Sequence, residues 1–514
     1  MQAASRVAPS ELTVGTVARH FARLSPDKRA LYDAERAISY GELDRQSETL
    51  AAALARLGVT QGDVVCAYLP NSIDYVVVVL AVARSGAIFS PVNPRYKTYE
   101  LRGILAMARP RVVFTTRAQA DTVRTLAAEL RQASLSIVTV DSAADSADAT
   151  LADMLNGPAG ALPSVAEGDC FSLMFTSGTT TGAPKGVLAT HRARMLWVLN
   201  AAIQYGLAED DLYLGTMPQV HSAGLTFTLM HLYVGATVRI LPHFDAAEFV
   251  AVVDREGITS ALTVPTMLTM IVEALERAPA SMASLRRLVT CGSPLPLTTK
   301  MRVLERISRQ LYDYYGSTES NSMSVLRPAD QLRKPDSVGQ AFRNVELMIA
   351  DEAGNACAPN VVGEVWCANP SAMTGYLDSP EETARAFSGR WFHTGDLGYL
   401  DEEGFLHLVS RRNDVIISGG VNIYPAEIEQ VLMLHPSILD AAVVGAPDAK
   451  WGQSIKAYIV VRQGEKLDCE AIQQHCTAHL ADFKKPRSVE LVTALPKNAG
   501  GKTVKSALMG GCDA

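Results

Sequence analysis

The sequence predicts an α/β protein: a large multilayer N-terminal α/β domain followed by a small mobile C-terminal α+β domain. Three observations predict it. From about residue 10 to 410, short β-branched runs alternate with helical patterns, as layered helices and sheets require. Near SRRND (Ser410–Asp414) the composition changes character, and a unit of about 100 residues follows, within normal domain size. The 514 residues, 48% hydrophobic and 20% charged, suffice for a sizeable core and about three domains' worth of sequence. The expected domains are 1–410 and 411–514, with a hinge near 413.

The elements follow in order. Tyr40–Leu57 reads as a helix from its spaced Leu43, Leu50, Leu54 and Leu57. Asp63–Tyr68 (DVVCAY), Arg111–Thr115 (RVVFT), Ser136–Val140 (SIVTV) and Cys170–Phe175 (CFSLMF) read as buried strands. Asp141–Ser164, rich in Ala, Asp, Ser and Pro, reads as a surface connection. Beyond residue 410, Pro425 takes a first helical position, Glu427 and Glu429 follow in the first turn, and Ile428, Val431 and Leu432 form an apolar stripe that ends before Pro436. Strands are expected at Ala441–Val444, Ala457–Val461 and Val489–Val492, with a helix around Ala471–Leu480.

Several function classes are excluded. A net charge of −7 with no long basic run gives no reason to expect a nucleic-acid partner. Met1–Ala30 carries Arg6, Glu11, Arg19 and Arg23 and lacks the apolar core of a secretory signal. The longest apolar run, Tyr75–Ala83, is far short of the roughly 20 residues of a membrane span. Eight scattered cysteines without a CxxC pair point to reduced thiols and a cytoplasmic enzyme. His475, Cys476 and His479, with Cys469 nearly two turns away, suggest zinc by type but read better as an ordinary helix surface.

The chemistry concentrates in SGTTTGAPKG, Ser177–Gly186. A kinase-type P-loop needs Gly, four residues and then Gly-Lys-Ser/Thr; here Lys185 follows Pro184, so the pattern fails. GGKT at Gly500–Thr503 fails too, because Pro496 stands where the first glycine belongs. By itself the loop reads either as a linker or as an oligophosphate cradle of hydroxyls and exposed amides.

Five further segments decide between these. TSGTTTGAPKG, PQVHSAG, YYGSTES, WFHTGD, SRRNDVIISGGVNIYPAEIE and LPKNAGGK occur in the order of the acyl-adenylate-forming enzymes, which comprise acyl-CoA synthetases, adenylation domains and luciferases. The resemblance covers nearly the whole chain, and SGGVNIYPAEIE, DAKWGQS, ADFKKPR and NPRYK most resemble bacterial acyl- and aryl-CoA ligases. It implies ATP, Mg²⁺ and coenzyme A as cofactors, with acyl-AMP formed first and a thioester second. Thr176, Ser177, Gly178, Thr179, Thr180, Thr181, Gly182 and Lys185 would then handle the β- and γ-phosphates. Glu319 would help to hold Mg²⁺, Thr318 would contact the α-phosphate and the acyl oxygen, and Tyr315 would pack on adenine. Asp396 would accept from the ribose hydroxyls, supported by Arg411, and Lys502 would drive adenylation. Asn413 occupies the hinge position, and Ser418, Gly419 and Gly420 would line the pantetheine tunnel. Arg95, Lys97, Lys484, Lys485 and Arg487, with Trp451 or Phe483 as a stacking face, are candidates for the CoA nucleotide.

The acid is expected beside His221, Ser222, Ala223, Cys291, Gly292, Ser293, Asn321 and Ser322, positions that are mostly small and partly polar. That favours a small aromatic or a short- to medium-chain acid over a long fatty acid, and the lack of Arg or Lys at these positions argues against a dicarboxylic acid. The loop also carries one threonine more than the family pattern, before Gly182. Two other readings stay open: a stand-alone adenylating enzyme that loads an acyl carrier protein, and a silent nucleotide-binding homologue. The expected partners are a small carboxylic acid and CoA, with a homodimer as the candidate assembly.

Overall fold

The computed structural model describes residues 11–158, 160–176, 184–411, 414–418, 421–448, 452–480, 484–497 and 503–509. Two large sheets dominate. One has eight strands in the order Gly375–Tyr376, Lys185–Thr190, Cys170–Thr176, Ile88–Pro91, Val64–Ala67, Val112–Thr115, Ser136–Thr139 and Ala149–Thr150. From Cys170–Thr176 to Ala149–Thr150 neighbours run parallel, while Lys185–Thr190 is antiparallel to both of its neighbours. The other has nine strands and places Arg287–Cys291 beside Leu311–Ser317, then Asn321–Leu326.

Helices buried all round join the layers. Ile73–Ser85 contains the apolar run Tyr75–Ala83, and every residue but Asp74 is buried. The Ser72 hydroxyl caps its start by accepting from the Tyr75 N–H, and Gly86, at φ +74°, ends it. The run therefore serves as the centre of the main hydrophobic core. Tyr40–Arg56 agrees with the expected helix and carries a capping box between Ser39 and Glu42.

A five-stranded sheet spans Glu346–Ala350, Gly363–Ala368, Trp391–Leu400, Phe387–Ser388 and Leu406–Arg411. The strand Ile416–Ser418 belongs instead to the last sheet, so the chain changes sheets between Arg411 and Ile416. That last sheet has its own core of Ile416, Ile423, Ile428, Leu432, Val443, Ile455 and Ile459, against which Ile472 and Cys476 pack.

The expected strands agree in place but not always in length. Ala441–Val444 is the middle of the long strand Ile438–Asp448 and Ala457–Val461 the C-terminal half of its antiparallel partner Gly452–Val461, two strands whose pairing extends past the apolar runs. Asp141–Ser164 is not purely a connection: it holds the edge strand Ala149–Thr150 and the helix Leu151–Leu155. Thr150 caps that helix, and its Leu151 and Met154 are buried.

Candidate active site

The strands Cys170–Thr176 and Lys185–Thr190 pair with Thr176 opposite Lys185. Ser177, Gly178, Thr179, Thr180, Thr181 and Gly182 lie outside the described residues. Lys185 holds its ammonium 3.0 Å from Glu382 and 5.2 Å from the Tyr376 ring centre. The Tyr376 hydroxyl lies 3.5 Å from Glu319 Oε1, so the lysine of one motif and the glutamate of another meet across one tyrosine. Burial, reinforced by the charges of Glu319 and Glu382, pushes the Tyr376 phenol well up and keeps it a neutral donor. Tyr376 and Glu382 escaped the sequence reading, since GYLDSPEE has no feature that sets it apart from a turn.

YYGSTES makes the hairpin between Leu311–Ser317 and Asn321–Leu326. Its turn is closed by Ser320 donating to the Ser317 hydroxyl at 3.1 Å, and Asn321 takes a left-handed φ of +56°. A Cβ at Gly316 would lie 2.0 Å from the Asn321 carbonyl, so only glycine allows the crossing. The Asn369 amide donates to the Ser320 carbonyl at 2.6 Å, and the Met373 N–H donates to the Glu319 carbonyl at 2.7 Å. This frame presents the half-buried Thr318 and Glu319 from a fixed turn.

Thr394–Asp396 forms an irregularity within the strand Trp391–Leu400, with Gly395 at φ +70°. There the Tyr315 hydroxyl donates to Asp396 Oδ2 at 2.5 Å. Burial and then the Asp396 charge push the Tyr315 phenol well up. Arg411 stands directly across the ladder from Asp396.

His221 sits at the start of the helix Ser222–Tyr233, its N–H donating to Pro218 at 3.0 Å. A Cβ at Gly224 would lie 2.4 Å from the Pro218 carbonyl, so that glycine lets the PQVHSAG turn fold onto its own helix. Burial, and then the charge of Arg95, hold the His221 imidazole below its ordinary pKa and therefore neutral near pH 7. Arg95, expected to serve the CoA nucleotide, thus exerts its field on His221. Cys291 ends the strand beside Leu311–Ser317, and burial pushes its thiol up to about 12. Asn321 is buried and donates to the Ser371 carbonyl, while Gly292 is exposed at φ +91° and Ser293 is half-buried. Ala223, half-buried, packs against the main core through the same helix that carries Ser222.

Two of the expected acid-pocket hydroxyls are held by one helix, His191–Tyr205: Arg194 donates to Ser222 Oγ at 2.9 Å, and the Trp197 indole donates to Ser322 Oγ at 2.9 Å. No arginine or lysine stands at the expected acid-pocket positions themselves, but a guanidinium reaches Ser222 from this helix, distant in sequence.

Asn413, Gly419, Gly420, Trp451, Phe483 and Lys502 lie outside the described residues. Lys484 is committed to both carboxylate oxygens of Glu427, at 2.6 and 2.7 Å. Lys485 is half-buried, and Arg487 and Lys97 are exposed. His475 donates to the Val431 carbonyl at 2.8 Å and His479 bonds the His475 carbonyl, their rings 4.6 Å apart, while Cys476 is buried in the C-terminal core. Among the described residues no group of three or more His, Cys, Asp or Glu is placed to hold a metal ion. Glu319, a single hard-oxygen donor, fits Mg²⁺, which keeps waters and substrate phosphates as most of its ligands.

Residues 18–377 match the model of the AMP-binding enzyme family, and residues 427–502 match that of the AMP-binding enzyme C-terminal domain. A feruloyl-CoA synthase of an Amycolatopsis species is 34% identical over 496 residues, covering 94% of this chain and 96% of that one. Among solved structures, ATP-bound MatB from Rhodopseudomonas palustris superposes with a TM-score of 0.89 at 28% identity, covering 96% of this chain and 98% of that one. The O-succinylbenzoate coenzyme A synthetase of Bacillus subtilis in complex with ATP and magnesium ion gives a TM-score of 0.84 at 28% identity, covering 96% and 99%. The chain belongs to the AMP-binding enzyme family, with the large and small domains of that architecture. It is an AMP-forming acid–thiol ligase that uses ATP, Mg²⁺ and coenzyme A to convert a carboxylic acid into an acyl-AMP and then an acyl-CoA. No helix among the described residues is long and apolar enough to cross a membrane.

Proposed function

We propose that this ligase acts on a small aromatic or a short- to medium-chain acid, and that the motif residues divide the work as follows. The observation that carries the division is the Tyr315–Asp396 hydrogen bond, which joins residues 81 positions apart. A ring suited to adenine and a carboxylate suited to a ribose diol thus form one rigid nucleoside platform. In the first step a carboxylate oxygen attacks the α-phosphorus and pyrophosphate leaves. Two anions must meet, so positive charge and fixed geometry dominate the barrier. The 176–186 loop holds the departing phosphates, Lys185 orders that loop through Glu382 and Tyr376, and Glu319 offers its carboxylate to Mg²⁺. Thr318 steadies the α-phosphate and acyl oxygen, and Lys502 neutralises charge that grows during attack.

Asn413 is the hinge of a C-terminal unit, 411–514, that turns between the two steps. In the second step the CoA sulfur attacks the acyl carbon and AMP leaves, with Gly419 and Gly420 beside the thiol arm and Lys485 and Arg487 near its nucleotide. His221, held neutral, lines the acid pocket with Ser222, Ala223, Cys291, Gly292, Ser293, Asn321 and Ser322. The protein is cytoplasmic in this reading, in keeping with the free thiols of its described cysteines, with a homodimer as the candidate assembly.

The test is pyrophosphate release from ATP and Mg²⁺ across benzoates, cinnamates and short to medium fatty acids, each with and without CoA. Multi-turnover release that requires both an acid of this panel and CoA supports the proposal. No release with any acid of this panel rejects the substrate class, and release that stays below one equivalent with CoA points to a carrier-protein acceptor.

A further inference from the structure

The helix His191–Tyr205 buries an arginine that the chemistry above does not use. Arg194 is 2% exposed, and no carboxylate among the described residues lies within ion-pair distance of it. Nη1 donates to two neutral hydroxyls, Ser222 Oγ at 2.9 Å and Thr226 Oγ1 at 2.7 Å. The other edge is poorly served: Nη2 has only Ser172 Oγ at 3.5 Å and the Met174 sulfur at 3.8 Å, and Nε has no acceptor. The Nε–Nη2 edge is one a carboxylate can grip with two parallel hydrogen bonds. The Trp197 ring, 5.3 Å from the guanidinium, compensates only part of a buried charge.

The placement matters as much as the missing partner. Ser222 adjoins His221, and Trp197, one turn on from Arg194, holds Ser322, so this helix contacts both flanks of the acid pocket. Ser172 and Met174 share a strand face with Thr176, where the phosphate loop begins. Burial lowers the Arg194 pKa only to about 10, so the group is a cation at neutral pH. An unpaired cation is costly to bury, and the structure keeps one beside Ser222, next to His221.

We propose that Arg194 determines substrate specificity by receiving a second carboxylate at the end of the acid remote from the reacting carboxyl. This rests on the acid-pocket assignment above. The preferred substrate is a dicarboxylic acid whose distal carboxylate meets the Nε–Nη2 edge while the hydroxyls of Ser222 and Thr226 hold Nη1. A ketone or hydroxyl there is a weaker ligand, since it brings an acceptor without charge.

Matched acids that differ only at the far end test this: 3-phenylpropanoate against its carboxyphenyl analogues, and heptanoate against heptanedioate, each with a hydroxyl-bearing analogue. Affinity is measured by calorimetry with a non-hydrolysable ATP analogue present, and kcat/KM by pyrophosphate release. The expected result is a preference of about 10- to 100-fold for the dicarboxylate of a pair, which Arg194→Met reduces to within about threefold. Arg194→Lys, which keeps the charge but not the fork, retains part of the preference. Thermal melting with and without ATP identifies any variant that fails to fold, and the wild-type preference is then decisive alone. Equal affinities within every pair overturn the proposal, as does an Arg194→Met that weakens both members equally. Absence of turnover with every acid rejects the panel's substrate class, while the calorimetric preference still decides the role of Arg194.

Discussion

Tyr315→Phe removes one oxygen and nothing else: the ring remains to pack on adenine, but its hydrogen bond to Asp396 at 2.5 Å is lost. The acceptor is a carboxylate, and a hydrogen bond to a charged group contributes about 1.5–3 kcal/mol. Asp396 keeps its backbone frame, its N–H still donating to Thr394 Oγ1 at 3.0 Å, so the lower end of the range applies and about 1.5 kcal/mol of ordering is lost. That corresponds to a roughly tenfold rise in the KM for ATP. Ribose binding is common to the ground and transition states, so kcat should change by less than about threefold. The assay is initial-rate pyrophosphate release at varied ATP, paired with AMP binding by calorimetry. Asp396→Asn and the double variant complete a cycle, in which strongly non-additive losses are expected because the two groups act as one platform. A Tyr315→Phe enzyme with unchanged KM and AMP affinity, or losses that simply add, would refute the platform.

Three further outcomes are expected. Gly224→Ala places a Cβ 2.4 Å from the Pro218 carbonyl and must displace the His221 turn; kcat/KM should fall at least about tenfold with the global fold retained by circular dichroism, and an active variant would show that the turn need not pack so closely. Lys502→Ala should slow adenylation by about 10² to 10⁴ while a supplied acyl-AMP still reacts with CoA, since an ammonium acts mainly where the phosphoryl charge develops; equal loss in both steps, measured separately by quench-flow, contradicts this. Burial lowers the pKa of His191 and of His231 to about 4 each, so between about pH 6.5 and 4 the unfolded chain binds more protons than the native one. Stability is therefore present above pH 6.5 and lost as pH falls, by about 2 kcal/mol per histidine at pH 5. In urea melts at pH 8 and 5, His191→Gln, which keeps an acceptor for the Val14 N–H, should show a correspondingly smaller loss, and a slope identical to wild type argues against it.

Motif order and local patterning are legible in the sequence alone. Strands such as Val64–Ala67 and Val112–Thr115, the capped helix Tyr40–Arg56 and the proline-started helix Pro425–Met433 follow from short-range rules of apolar period, caps and breakers. The six segments identified the chemistry because each keeps its residues within a few positions. Ala149–Thr150 escaped, since a two-residue strand is created by its neighbour and not by its own propensity.

What only the tertiary structure decided are the contacts made across the chain. Tyr376 stands between Lys185 and Glu319, Tyr315 reaches Asp396 over 81 positions, and Arg194 meets Ser222 from another helix. A local pattern encodes which residues share a strand or a helix face, because backbone period fixes that. It does not encode which faces meet, which depends on how the layers pack, and an arginine in an unremarkable helix becomes a buried, unpaired cation only once that packing is complete.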